Sequence, residues 1–301
     1  MIYTLTLNPA LDYVITLEHL KTGYVNRTNS EHINYGGKGI NVACVLKELE
    51  IETICLGFIA GFTGLELKKG VHDILGLKED FICTNNGMTR INVKIKANEE
   101  TEINGRGPII TKQDIELLYK QLDHLYDEDY LVLSGSIPMG VSKDIYCMIM
   151  DYLKDKDIRI VVDGSGELLM NTLPYHPFLI KPNHHELAEL FNVNIHTLDE
   201  IEHYARLLQE QGAKNVLVSM GKDGSMLIDE YGNRHDRGVC TGNVVNSVGA
   251  GDSMVAGFIA GIYKGMNYSE ALKLATACGG ASAFSLSLAK KEDIDELLKQ
   301  L

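Results

Sequence analysis

The 301-residue chain has no tryptophan and only six prolines, and it is short of positive charge, with 28 Lys and Arg against 41 Asp and Glu. The formal net charge of −13 and the pI near 5.2 exclude nucleic acid or an anionic membrane as the main partner by simple attraction. A phosphorylated ligand would need its positive charge gathered locally. Apolar runs long enough to span a bilayer are absent. Met1 leads directly into the strand-like Ile2-Tyr3-Thr4-Leu5-Thr6-Leu7, without a charged leader or signal-type apolar segment, so a cytoplasmic protein is expected. The six cysteines, at 44, 55, 83, 147, 240 and 278, include no CxxC pair. Several lie in apolar runs, and all are read as reduced core residues.

What the chain does have is apolar bulk, at 45% hydrophobic residues, and 29 glycines. That supports a large core and suggests many tight turns. Short apolar runs at 2–7, 52–58, 130–134, 158–163, 177–181 and 215–220 predict strands. Amphipathic stretches at 39–49, 64–75, 111–124, 143–154, 184–191, 199–211, 251–264, 268–284 and 291–300 predict helices. Strands that read as continuous apolar runs between helices indicate a parallel sheet covered on both faces, in one unit spanning 1–301. Ligands of such sheets bind beyond the carboxyl ends of the strands. One segment differs. In Thr89–Lys96 the apolar Ile91, Val93 and Ile95 alternate with Arg90, Asn92, Lys94 and Lys96. With a return at 101–104 and weaker β character at 12–18 and 31–35, this predicts a small flap built from segments at about 12–35 and 88–106.

The most informative motif is Val248-Gly249-Ala250-Gly251-Asp252-Ser253, a glycine turn opening an apolar helix. Such a turn leaves backbone N–H groups unpaired at the positive end of the helix dipole. Gly249, Ala250 and Gly251 could hold charge on a phosphoryl group in transfer, and Asp252 could take a proton from an attacking hydroxyl. An ordinary capped turn is the plain alternative. Gly36-Gly37-Lys38-Gly39-Ile40-Asn41 is a second glycine turn opening a helix, and it matches neither the dinucleotide fingerprint nor the P-loop. It offers Lys38 and Asn41 beside a turn that admits a ligand. Asp12, in Asn8-Pro9-Ala10-Leu11-Asp12 after the first strand, is placed to bind sugar hydroxyls or simply to end a turn. In Lys181-Pro182-Asn183-His184-His185-Glu186 the adjacent histidines diverge on a helix and do not chelate one ion easily. Asn183 and Glu186 share a helix face and could organise Mg²⁺-bound water and phosphate; Glu186 could equally be a helix-start acid. Ser219-Met220-Gly221-Lys222-Asp223-Gly224 suits either a nucleotide edge or a plain hairpin. Lys38, Arg90 and Arg106 are the candidate local cations.

Together these motifs resemble the ribokinase-like (PfkB) carbohydrate kinases over nearly the whole chain. GGKGINVA stands near the start, KPN-x-x-E and VSMG in the middle, and VNSVGAGDSMVAGF near the end. The opening TLTLNPALD, with TRINVK and TEIN, resembles the phosphosugar branch of that family. The resemblance implies an α/β fold, a Rossmann-like αβα sandwich with a small β-sheet lid, and a homodimer formed through that lid. It implies Asp252 as base and 249–251 as anion hole. It places Asp12, Gly37, Lys38, Asn41 and Arg90 on the sugar phosphate. Lys181, Asn183, Ser219, Gly221, Gly224, Ser247, Val248 and the 249–251 turn would serve ATP, with Glu186 and Asp163 toward Mg²⁺. The implied reaction is phosphorylation of fructose 1-phosphate at its C6 hydroxyl. Tagatose 6-phosphate is the alternative acceptor, and a non-catalytic sugar-phosphate sensor the alternative class. One departure stands out: the loop 104–108 often reads Asn-x-Pro-Gly-Pro in this branch, and here Arg106 takes the proline position.

Overall fold

A computed structural model describes all 301 residues. The first half runs β1 (Ile2–Thr6), β2 (Ala10–Thr16), β3 (Ser30–Gly36), α1 (Lys38–Glu48), β4 (Thr53–Ala60), α2 (Gly61–Lys69), β5 (Lys78–Thr84), β6 (Arg90–Lys96), β7 (Glu100–Asn104) and α3 (Lys112–Leu122). The second half runs β8 (Tyr130–Ser134), α4 (Ile145–Tyr152), β9 (Arg159–Asp163), α5 (Gly166–Met170), β10 (Leu179–Ile180), α6 (His184–Phe191), α7 (Leu198–Glu210), β11 (Asn215–Ser219), β12 (Ser225–Ile228), β13 (Arg234–Arg237), α8 (Ala250–Tyr263), α9 (Tyr268–Ala283) and α10 (Lys291–Leu298).

Nine strands form one sheet in the order β13-β12-β11-β10-β9-β8-β1-β4-β5. The strands from β5 to β11 pair in parallel, and β12 and β13 add antiparallel at one edge. The apolar runs are continuous because both faces are covered. Along β8, Leu131 and Leu133 pack with Leu118, Ile149, Leu187 and Leu208 of α3, α4, α6 and α7. Tyr130 and Val132 face the other way, onto Val42, Phe258 and Leu274 of α1, α8 and α9. Helix α8 lies very close to α9. A Cβ on Gly257 would come within 2.8 Å of the Ala275 Cα, and one on Gly261 within 2.7 Å of the Ala271 Cα. That close approach fixes the axis of α8 and so the position of its first turn.

A second, four-stranded sheet has the order β3-β2-β6-β7. Its two faces differ because side chains alternate along each strand. Asp12, Asn92 and Asn104 are in register on one face, and Lys94 faces Glu102 in the next pair. On the other face Ile33, Tyr13, Val93 and Ile103 form one apolar row across all four strands. The expected flap is thus present, with β2 and β3 as full members.

The parallel core and all nine expected helices are found, with ends shifted by a few residues and the 64–75 helix beginning at Gly61 and passing into a π-helical turn at Gly70–Ile74. Four elements were not foreseen: β5, β12, β13 and the short α5. β5 and β13 are the edge strands of the large sheet, and their polar sequences KEDFICT and RHDR fit that place. The 177–181 run yields only the two-residue β10. Cys83 is exposed, not a core residue, because it sits on β5; the other five cysteines are buried or half-buried and all six are unpaired. No helix is long and apolar enough to cross a membrane.

Candidate active site

The first turn of α8 carries the Gly249-Ala250-Gly251-Asp252 motif. Gly249 is its N-cap, with φ 82°, a left-handed conformation that favours glycine. A Cβ there would also meet the Leu288 Cδ2 at 2.5 Å. The Ala250 N–H donates to the Ser247 carbonyl at 3.3 Å, whereas Gly249, Gly251 and Asp252 donate their N–H groups to no protein acceptor. The open donors are therefore Gly249, Gly251 and Asp252, a set shifted by one member from the expected Gly249, Ala250 and Gly251.

Asp252 is buried and its Oδ2 accepts a hydrogen bond from Asn41 Nδ2 at 2.7 Å. Asn41 stands on the first turn of α1, so the two glycine turns converge on one carboxylate. Burial pushes the Asp252 carboxyl up to about 7, helped by the negative charge of Asp163 and opposed by Asn41, Lys38 and Lys181. A carboxylate so raised is a better base than a free aspartate. Asp163, at the end of β9, is equally buried, and burial pushes its carboxyl up; Lys181 and Lys38 more than offset this and hold it below the ordinary value. Lys38 Nζ lies 3.1 Å from Asp163 Oδ2 and Lys181 Nζ lies 3.8 Å from Asp163 Oδ1. Lys181 also reaches the helix start, since a Cβ on Gly251 would be 3.0 Å from its Nζ. Asp163 therefore organises two ammonium groups. Both of its oxygens face cations, and Oδ2 accepts no hydrogen bond.

Beside this cluster opens a cavity of about 280 Å³ without a single apolar side chain in its wall. Thr6 and Asn8 come from the end of β1, Gly37 and Lys38 from α1, Arg90, Asn92 and Lys94 from β6, Glu102 and Asn104 from β7, and Gly135 and Ser136 follow β8. It thus lies between the carboxyl ends of the large sheet and the polar face of the small one. Thr6 Oγ1 and Asn8 Oδ1 are buried with no protein partner, which suits a ligand rich in hydroxyls. Arg90 Nε donates to the Asn8 carbonyl at 3.0 Å, and Asn92 Nδ2 donates to Asp12 Oδ1 at 2.8 Å. Burial lowers the Arg90 pKa, with Asp12 opposing. Arg106 is exposed and outside the cavity wall; only its backbone takes part, its carbonyl accepting from Asn8 Nδ2 at 3.1 Å. Asn92, Lys94, Glu102 and Asn104 were missed as site residues, although the alternation in Thr89–Lys96 had put Asn92 and Lys94 in the same row as Arg90.

At the far side, Asn183 caps α6. Its Oδ1 accepts from the His185 and Glu186 N–H groups, and Glu186 Oε2 accepts from the Asn183 N–H at 2.8 Å. The helix-start reading of Glu186 is seen: Oε2 caps the helix, and Oε1 has no protein hydrogen bond. His184 and His185 gather no metal set, and no group of three or more His, Cys, Asp or Glu that could hold an ion exists. Ser219 is bridged to Asn183 and ends β11, and Gly221 (φ 56°) and Gly224 (φ 95°) shape the hairpin into β12. Ser247 and Val248 lie in the exposed loop before α8, close in sequence to the exposed Val244 and Val245.

The profile of the pfkB family carbohydrate kinases matches residues 5–293. The chain belongs to that family. A curated 1-phosphofructokinase of Bacillus subtilis is 42% identical over 301 residues, covering 100% of this chain and 98% of the other. The D-tagatose-1-phosphate kinase of Bacillus licheniformis is 34% identical over 304 residues, with 100% and 98% covered. Among solved structures, a putative phosphofructokinase from Staphylococcus aureus superposes with TM-score 0.89 at 40% identity, covering 100% of this chain and 97% of that one. A carbohydrate kinase has a use for the parts described: a buried carboxylate, open helix-start N–H groups and a wholly polar cavity in one crevice.

Proposed function

We propose that the protein transfers the γ-phosphoryl group of ATP to the C6 hydroxyl of D-fructose 1-phosphate, yielding fructose 1,6-bisphosphate and ADP. The observation that carries this reading is Asp252, a buried carboxylate with a raised pKa. It stands at the open N-terminus of α8, beside a wholly polar cavity bearing Lys38, Arg90 and Lys94. The full-length similarity to a 1-phosphofructokinase supports it.

In this mechanism the C6 hydroxyl loses its proton to Asp252 as its oxygen bonds to the γ-phosphorus and the bond to the ADP oxygen breaks. The transition state is loose, so position and charge stabilisation matter more than base strength. Charge on the transferred group meets the free N–H groups of Gly249, Gly251 and Asp252 and the Lys181 ammonium. Lys181, Asn183, Ser219, Gly221, Gly224, Ser247 and Val248 flank the ATP side of the crevice. Mg²⁺ suits this site through the free oxygen of Glu186, since that ion takes few carboxylates and otherwise phosphate oxygens and water. Bound there, it would neutralise charge on the phosphates of ATP. The small sheet acts as a lid over the sugar and excludes water. Its outer row Ile33, Tyr13, Val93 and Ile103, with Ile33 45% and Ile103 60% exposed, is the surface through which two lids pair in a homodimer.

A second reading rests on the tagatose-1-phosphate kinase relative: tagatose 1-phosphate carries its phosphate at the same end and differs only at C4. Tagatose 6-phosphate reverses the sugar and is the weaker rival. A sensor without catalysis has no need of a buried base. The test is a coupled ADP assay with Mg-ATP and fructose 1-phosphate, fructose 6-phosphate, tagatose 1-phosphate and tagatose 6-phosphate. Fructose 1-phosphate should give the highest kcat/KM; equal turnover of all four, or of none, refutes the assignment.

A further inference from the structure

We infer that Lys94 is the residue that recognises the phosphate already on the sugar. The inference deepens the proposed phosphosugar kinase activity and rests on it. Three cations face the cavity, and two have other duties. Lys38 is bound to Asp163 at 3.1 Å, at the reacting end. Arg90 is tied through Nε to the Asn8 carbonyl, next to the large sheet. Lys94 stands four residues further along β6, roughly 13 Å along the strand from Arg90.

Its ammonium is held by charge without being satisfied. The side chain is only 16% exposed, yet its nearest acceptors are Asp12 Oδ2 at 3.5 Å and Glu102 Oε1 at 3.7 Å. Both exceed the usual length of a charge-assisted hydrogen bond, about 2.7–2.9 Å. Asp12 is held in place at its other oxygen, which accepts from Asn92 Nδ2 at 2.8 Å. Glu102, on the exposed strand β7 and 40% exposed itself, is held besides Lys94 only by a long 3.5 Å hydrogen bond from Asn104 Nδ2. A dianionic phosphate outcompetes one carboxylate for such a donor. It takes the place of Glu102 against Lys94, while Asp12 stays to hold the sugar and the lysine together. Empty, the site is neutralised by its own acids, so a neutral sugar gains nothing from Lys94. That makes the residue a selector for phosphorylated sugars and not merely an attractor of anions.

The test is Lys94→Met, which keeps the apolar stem, beside Glu102→Gln. For Lys94→Met the KM for fructose 1-phosphate should rise on the order of 10- to 100-fold, with kcat and the KM for ATP within about threefold. Lys94→Arg should recover most of the loss. Glu102→Gln should lower the sugar-phosphate KM, because the internal competitor is gone. Calorimetric titration of fructose 1-phosphate and of fructose into the same proteins separates this inference from the activity itself. If the wild-type protein binds fructose 1-phosphate but turns it over no faster than the other sugars, the assigned activity fails, and Lys94 is judged by the loss of binding alone. An unchanged KM or Kd for fructose 1-phosphate in Lys94→Met, or an equal loss for fructose, overturns the inference.

Discussion

Asn41→Leu is the sharpest perturbation of the proposed chemistry. The substitution keeps the size of the side chain and removes the one neutral donor to Asp252, at 2.7 Å. A hydrogen bond to an ionised group contributes about 1.5–3 kcal/mol, and one pKa unit corresponds to about 1.4 kcal/mol. That bond favours the charged carboxylate, so its loss raises the Asp252 pKa further, by about 1–2 units. From about 7 the value moves to about 8–9. At pH 7 the ionised fraction then falls from about one half to between about 0.1 and 0.01, and kcat/KM falls about 5- to 50-fold. The sign matters. The base works deprotonated, so activity lost at neutral pH returns as the pH is raised through the new value. The assay is a pH profile of kcat/KM for the sugar phosphate from about pH 5.5 to 9.5. In the wild type the acid limb should bend near 7, and in the variant it should bend about 1–2 units higher with a similar plateau. A uniform loss at every pH, with the bend unmoved, would refute both the base and the role of Asn41 in tuning it.

Asp252→Asn should retain the fold and lose about 10²–10⁴ in kcat; a loss under about threefold would exclude a proton-accepting role. Arg106→Ala should leave the KM of both substrates within about twofold, because the side chain is exposed and outside the cavity wall, as single surface changes are generally mild. Gly249→Ala forces an L side chain into φ 82° and against Leu288, at a cost of at least about 1–2 kcal/mol for the backbone alone. Its melting temperature should drop and its KM for ATP should rise well above its KM change for the sugar.

The legible parts of this molecule were those with a short-range cause. The buried parallel strands are apolar throughout, so β1, β4, β8, β9 and β11 were visible as runs. Glycine turns opening helices made the starts of α1 and α8 visible too. The edge strands β5 and β13 escaped notice because one side of each needs no partner and tolerates charge. Long-range pairing was equally hidden. Asn41 and Asp252 are 211 residues apart, and nothing local to either says that one donates to the other. The same limit explains Arg106 and Lys94. Read singly, Arg106 is a cation in a turn and Lys94 one member of a polar row on a strand; register across β2, β6 and β7 puts Lys94 inside the cavity, while the 105–107 loop turns only its backbone inward. Nor does the sequence around Asp163 show its two lysine partners, one from α1 and one from just past β10.

That pairing also resolves the problem set by the net charge of −13. An acidic protein that handles two phosphorylated substrates must keep its cations from being neutralised at random by the surrounding carboxylates. Here the neutralisation is specific. Asp163 is buried, and it holds Lys38 and Lys181, both of which act electrostatically on Asp252. The same charge adds to burial in raising the pKa of Asp252, so one buried acid would both hold two cations of the site and strengthen the proposed base. Asp163→Asn separates the two effects. The base pKa should fall toward that of an ordinary aspartate, carrying the acid limb to lower pH. The KM for ATP should rise as the lysines lose their anchor. A variant whose acid limb stayed near 7 while its substrate KM values also held would show that Asp163 organises neither.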